Sequence, residues 1–488
     1  MFYSEKINRL GKYDYRNIGI WLNLASYDFH SNQDSVRNIF HLGLFPIDAI
    51  ENEINKERIL DCIKNSLNDN EVFMVLNAFS TFTHEKRHFI DFHSTPLGMY
   101  LTGQQLSLNL ATLSVTRILK NYNVTSVKIP FVEHYSKMLN ELSIDDVAFN
   151  QISNIISHIK KINDKIDTLL FKTSTEGITT LNILEGLAII QQHNIIRDSI
   201  GKEYADFFLD QISKSNSGKW YMKSIEHIKK IIPGISLYSI SLILYNSLFG
   251  HINWQNWKSQ NPPKILSGLL EMLSKINSIK DTDIKFKIEK DFNLLVFGRD
   301  ASTSFVYSYK SSLNHIKHIS EEIDKSSNNS DQESFYLDLY EKSIEIGKLY
   351  YSKFFKNKKY FDSLEFGKDS FLSIPVFIES DVGFVVDPDN AEYYNPIIQY
   401  PMSKSDVINL PYISYAGFER INKYSEDTKF WQIHLAEIGD FFVDDKTKEL
   451  FREMLFSELI VFGTKSFDIV SLASCLESLV NSKIKIVK

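Results

Sequence analysis

The sequence predicts a mainly α fold with a minor β component. Three observations carry that reading. Long stretches place apolar residues at the 3.6-residue helical period. Proline is scarce, at 11 in 488 residues. Strand-like alternation is rare. A chain of 488 residues exceeds one ordinary core, so two or three domains are expected. Hydrophobic residues at 43% and aromatic ones at 13% suit a packed globule rather than a disordered chain. The net charge of −7 argues against a general nucleic-acid binder, whose surface is ordinarily basic.

Taken in order, the first element is a strand over Ile18–Leu24. A helix then runs through Val75, Phe79, Phe82 and Phe89, an apolar stripe that Lys86 interrupts. Thr95-Pro96 and Gly98 end it. The uncharged segment Ser94–Thr116 carries Gln104, Gln105 and Asn109 and reads as an interior helix. Another helix carries Leu184, Leu187, Ala188, Gln191 and Ile195 on one face. Between Ile231 and Trp257 there is no charged residue. This stretch, with Ile231–Phe249 at its heart, borders on a membrane segment, but its serines, Asn246 and the Pro233-Gly234 start favour a buried core helix. Lys325–Glu333 is wholly polar and reads as a loop, placing a boundary near residue 330. Ile374–Glu379 and Gly383–Asp387 form a hairpin, with Pro375 confining the first arm to an edge or a strand start. Asp387–Pro411 lacks a helical period.

Cys62 and Cys475 lie far apart and outside any C-x-x-C pair, which excludes a disulfide framework and fits a reducing cytoplasm. Met1–Lys6 shows no basic-then-apolar signal pattern, in line with a cytoplasmic location.

The chemistry concentrates in His84-Glu85-Lys86-Arg87-His88. On a helix, two histidines four apart stack on one face and can grip one metal ion, with the intervening glutamate beside it. Asn77 and Thr81 precede them on that face and Asp91 follows, the polar lining of a wet cleft. A hydrolytic zinc site needs a third ligand. Glu185 is the candidate. It is a lone carboxylate in the apolar run Ile178–Ile190, where an unpaired charge would be costly. Small residues at Gly186 and Ala188 allow another helix to approach closely.

The motif and the Glu185-Gly186-Leu187-Ala188 setting resemble the gluzincin branch of the zincin metallopeptidases over about residues 71 to 196. The resemblance implies a zincin-like helical catalytic core, and the polar break near residue 330 divides the chain into this region, 1–325, and a helical C-terminal region with the hairpin, 334–488. The resemblance also implies Zn2+ held by His84, His88 and Glu185, and Glu85 as the general base for hydrolysis of a peptide or protein. Two departures stand out. Residues 88 and 185 lie 97 apart, more than in compact members, and Ile189 stands where thermolysin-like enzymes place an aspartate.

Competing readings pair Glu85 with Lys86 or Arg87, and Glu185 with Arg197 or a lysine elsewhere. Asp91 is a candidate to orient His88, against a plain helix-end role for it and for His93. His193, at i+8 from Glu185, is off phase, and His251, His315, His318 and His434 read as structural. Glu85-x-x-His88 is also half of a ferritin-like di-iron motif, but no second E-x-x-H exists. His318-x-x-Glu321 and His434-x-x-Glu437 run in reverse order. A non-catalytic helical interaction protein that retains the motif is the remaining alternative.

Overall fold

The structure, a computed structural model, describes residues 11–14, 19–23, 33–44, 46–122, 126–128, 131–141, 144–249, 261–275, 284, 301–325, 331–356, 366, 376–380, 383–387, 392–394 and 485–487. His251, His434, Glu437, Cys475 and most of the stretch after Asp387 lie outside them.

Helix dominates the described residues. After β1 (Gly11–Asp14) and β2 (Gly19–Asn23) come α1 (Gln33–Leu44), α2 (Pro46–Glu51), α3 (Glu53–Lys64), α4 (Asp69–Ser94) and α5 (Pro96–Lys120). Then follow β3 (Ser126–Lys128), α6 (Phe131–Glu141), α7 (Asp146–Phe171), α8 (Thr180–Ser199), α9 (Lys202–Lys214), α10 (Asn216–Ile231), α11 (Leu237–Ser247) and α12 (Pro262–Ser274). The rest comprises α13 (Ala301–Lys325), α14 (Asp331–Tyr350) with a π-helical turn (Tyr351–Lys356), β4 (Val376–Ser380), β5 (Gly383–Asp387), β6 (Glu392–Tyr394) and β7 (Lys485–Val487).

Two central helices organise the molecule. α4 starts at Asn68, whose side chain accepts from the Glu71 N–H at 3.1 Å, while the Glu71 carboxylate accepts from Leu67 N–H at 2.7 Å. The first bond satisfies one of the donors a helix start leaves unpaired, and the second ties the preceding residue back to the first turn. From Val75 onward nearly every residue of α4 is buried. α8 starts with a capping box between Thr179 and Asn182 and is buried almost throughout. A helix that is buried on all sides belongs at the centre of its fold. α4 and α8 pack on each other, with α1, α5, α9 and α14 also against α4, and α7, α9, α10, α11 and α12 against α8. α7 shows the opposite pattern: Ile152, Ile156, Ile159, Ile162, Ile166 and Leu169 make one buried stripe.

Thr95 is both the C-cap of α4 and the N-cap of α5, its Oγ1 accepting from Gly98 N–H at 3.2 Å. A Cβ on Gly98 would lie 1.8 Å from the Phe92 carbonyl oxygen, so the elbow expected at Thr95-Pro96 closes this tightly only with glycine there. α14, beyond the polar stretch, packs on α4, α5 and α13. The uncharged stretch after Ile231 yields α11, buried between α8 and α12. No helix among the described residues is long and apolar enough to cross a membrane.

The strands are short. β1 pairs antiparallel with β2, β2 parallel with β4, and β4 antiparallel with β5 through Glu379 opposite Phe384. β4 begins just after Pro375. β1 stands at one end of this order and rests on α4.

Candidate metal centre

α4 and α8 cross where His84, His88 and Glu185 converge. His84 Nε2 lies 3.0 Å from Glu185 Oε2 and 3.1 Å from His88 Nε2, and His88 Nε2 lies 3.4 Å from the same carboxylate oxygen. Two nitrogens and one oxygen thus form a compact triangle. Donors held about 2.0–2.2 Å from one tetrahedral ion would be about 3.3–3.6 Å apart, close to the edges seen. The three side chains are only 13%, 10% and 17% exposed. Among the described residues this is the one group of His, Cys, Asp or Glu arranged to hold a metal ion.

The sequence contains the reason for this placement. The four-residue spacing stacks the imidazoles on α4, and Glu185 sits in the second turn of α8. Gly186 lets α10 and α11 close on that turn. A Cβ there would meet Ser224 Oγ at 2.4 Å and Leu244 Cδ1 at 3.1 Å. Asn182 Nδ2 donates to the Trp220 carbonyl at 3.0 Å, and Ser224 Oγ to the Asn182 carbonyl at 2.7 Å, fixing α10 to the same end of α8.

Burial alone would lower the His84 pKa, but the Glu185 hydrogen bond, the Glu85 and Glu185 charges and Gln192 raise it to about 9. Burial pushes the Glu185 carboxyl up, but the neighbouring His88 and His84 outweigh it and hold it well below the usual carboxylate range. His84 and Glu185 thus hold each other in their charged forms, a pairing that a divalent cation could replace.

Glu85 is 7% exposed. Burial raises its pKa, which the His84 and His88 charges and a hydrogen bond from the Tyr13 backbone N–H partly offset. β1 runs directly over it: a Cβ on Gly11 would come within 2.8 Å of Glu85 Cγ and of Thr81 Cγ2.

The competing pairings do not form. Arg197 pairs with Asp198, its Nε 2.6 Å from Oδ1. Arg87 Nη2 lies 2.8 Å from Asp91 Oδ1 in a buried ion pair, so Asp91 serves Arg87 and makes no hydrogen bond to His88. Lys86, the apparent break in the apolar stripe, is itself buried and donates to the Phe366 carbonyl. His193 faces Asp206 at 3.4 Å, and His315 and His318 lie on α13, away from the cluster. His93 is no plain helix-end group: it is buried between Tyr13 and Ser343.

Gln192 is the residue the sequence reading missed. Its Oε1 accepts from His84 Nδ1–H at 2.8 Å, while its Nε2 donates to Ser80 Oγ at 2.9 Å and Asn77 Oδ1 at 3.4 Å. Those two acceptors fix the amide orientation, which fixes the His84 tautomer and aims Nε2 at the cluster. Of the polar face before His84, Asn77 reaches this amide, while Thr81 Oγ1 donates to the Asn77 carbonyl of its own helix at 2.7 Å. The available signal was its position, seven residues and two turns after Glu185. Tyr221 also closes on the site, its ring centroid 6.4 Å from that of His84.

No protein-family model, no curated protein and no solved structure matches the chain.

Proposed function

We propose that this chain is a zinc-dependent metallopeptidase that hydrolyses an amide bond in a peptide or protein. The observation that carries the reading is the meeting of His84, His88 and Glu185 beside a buried Glu85. Two imidazoles and a carboxylate suit Zn2+, and they leave room for a fourth ligand, as a catalytic site requires. Bound there, Zn2+ would supply a Lewis-acid charge and lower the pKa of a water to about 7.

The chain's own residues do the rest. Gln192 keeps His84 Nδ1 protonated and its Nε2 available. The Glu85 carboxylate takes a proton from the attacking water and passes it to the leaving amine, a task suited to a carboxyl whose pKa burial raises. The Tyr13 N–H donates to that carboxylate, and the same strand lies against it, a Cβ on Gly11 falling 3.1 Å from Glu85 Oε1. β1 lies at the edge of its strand order beside Glu85, where an extended peptide can add by backbone hydrogen bonds. That supports a peptide over a nucleic-acid substrate, as does the net charge of −7. Two cysteines far apart in sequence support a reducing, cytoplasmic setting.

The test is substitution with a zinc assay alongside a peptide-cleavage assay. Glu85→Gln keeps bound zinc and loses at least about a hundredfold in kcat. Full turnover in that variant would refute the assigned base. Glu185→Ala loses zinc on dialysis, and unchanged occupancy would mean that another ligand completes the site.

A further inference from the structure

β1 is four residues long, and its register sets which backbone N–H faces Glu85. Backbone N–H groups along a strand alternate in direction. A slip of one residue would carry the Tyr13 N–H away from Glu85. The ladder to β2 that sets this register is only four residue pairs long, Gly11 opposite Leu22 to Asp14 opposite Gly19, so a side-chain anchor on β1 would reinforce it.

The Tyr13 side chain provides the hold. Its ring packs among α4 aromatics, with centroids 5.2 Å from Phe92 and 5.9 Å from Phe89, the latter edge-on. Aromatic packing is forgiving along a strand, but a buried hydrogen bond is not. Tyr13 Oη lies 3.2 Å from His93 Nε2, and His93 Nδ1 lies 2.7 Å from Ser343 Oγ of α14. His93 is buried, and that burial pushes its pKa down to about 3, so the ring is neutral. A neutral imidazole donates from one nitrogen and accepts at the other, which these two hydroxyls accommodate. A Cβ on Gly347 would lie 2.0 Å from the His93 carbonyl oxygen, so α14 presses on α4 at this point.

We infer that His93 is a positioning residue for Glu85: through the Tyr13 hydroxyl it locks the register of β1 and thereby keeps the Tyr13 N–H on the carboxylate. This rests on the peptidase reading for its consequence in catalysis, not for the lock itself.

The two nitrogens of His93 supply a discriminating test. Glutamine places an amide atom near the Nε2 position, and asparagine near the Nδ1 position. His93→Gln preserves the bond to Tyr13, whereas His93→Asn preserves only the bond to Ser343. A merely structural role would treat the two alike. Tyr13→Phe keeps the ring packing and removes the hydroxyl, so it reads the same bond without relying on His93 variants that fold poorly.

Two readouts are taken on the full chain: hydrogen exchange of the backbone amide at position 13, and kcat with KM and zinc content. We expect His93→Asn and Tyr13→Phe to speed that exchange and lower kcat by about tenfold, with KM and zinc unchanged, and His93→Gln to stay near wild type. Glu85→Ala should speed the same exchange, and His93→Asn should add nothing to it. Equal effects of His93→Asn and His93→Gln, or unchanged exchange in Tyr13→Phe, would overturn the inference. A wild-type chain that cleaves no peptide while the exchange pattern holds would overturn the peptidase reading and leave the lock standing.

Discussion

At His84 the two ring nitrogens have separate duties: Nδ1 is held by Gln192 and Nε2 points at Glu185 and His88. Gln192→Leu should therefore weaken zinc binding by about 10- to 100-fold, measured by competition with a chelating indicator. Undiminished affinity would remove Gln192 from the site. The same geometry sets a pH dependence. Without metal, His84 has its pKa raised from 6.5 to about 9, so the stability it adds is complete below the lower value and disappears as pH rises through the higher one. Glu185, held below 4.5, adds stability that persists above that value and disappears only in acid. The melting temperature of the metal-free protein should therefore fall between pH of about 7 and about 10. Zinc-loaded protein, whose imidazoles are already deprotonated, should lack that component, and parallel slopes would contradict this. Glu185 was legible in the sequence because an isolated carboxylate in an apolar run demands a partner. Gln192 was not: only the observed face of α8 tells which residue after Glu185 reaches His84. The partner of Asp91 is a local one: Arg87 one turn earlier claims its carboxylate.

Elements deliver these residues by close approach. α10 and α11 contact α8 at Gly186, where any side chain would push against Ser224 and Leu244. Gly186→Val should destabilise the protein by about 1–3 kcal/mol and disturb the turn that carries Glu185, read from urea unfolding and zinc retention together. An unchanged urea midpoint would show that α10 yields readily. The start of α5 was legible because Thr95, Pro96 and Gly98 each have a local role there: cap, first-turn residue and contact without a Cβ. The uncharged stretch from Ile231 was ambiguous because an all-round apolar helix suits lipid and core alike. Its partners, α8 and α12, decide for the core, and they are tertiary facts. The pairing of β2 with β4 joins residues about 350 apart in sequence, and no local pattern announces which strand a hairpin will join.

On the scale of the molecule, α4 concentrates polar groups where apolar ones would be expected. It carries the buried Lys86, Arg87–Asp91 pair and His93 and the two histidines of the metal-type cluster along one central helix. Buried charges and polar groups are tolerated when each finds a partner, and for His84, His88 and Glu185 that partner is best supplied by a cation. Because the cluster joins α4 to α8, a ligand there should stabilise the whole fold. Zinc at 100 times its dissociation constant should add about 2.7 kcal/mol, seen as a rise in melting temperature that Glu185→Ala abolishes. The most direct measurement is X-ray absorption at the zinc edge on protein loaded with one equivalent. The account predicts two imidazole nitrogens and a carboxylate oxygen at about 2.0–2.2 Å, with one further light-atom ligand. A spectrum showing fewer than two imidazoles, or one unchanged by Glu185→Ala, would contradict it.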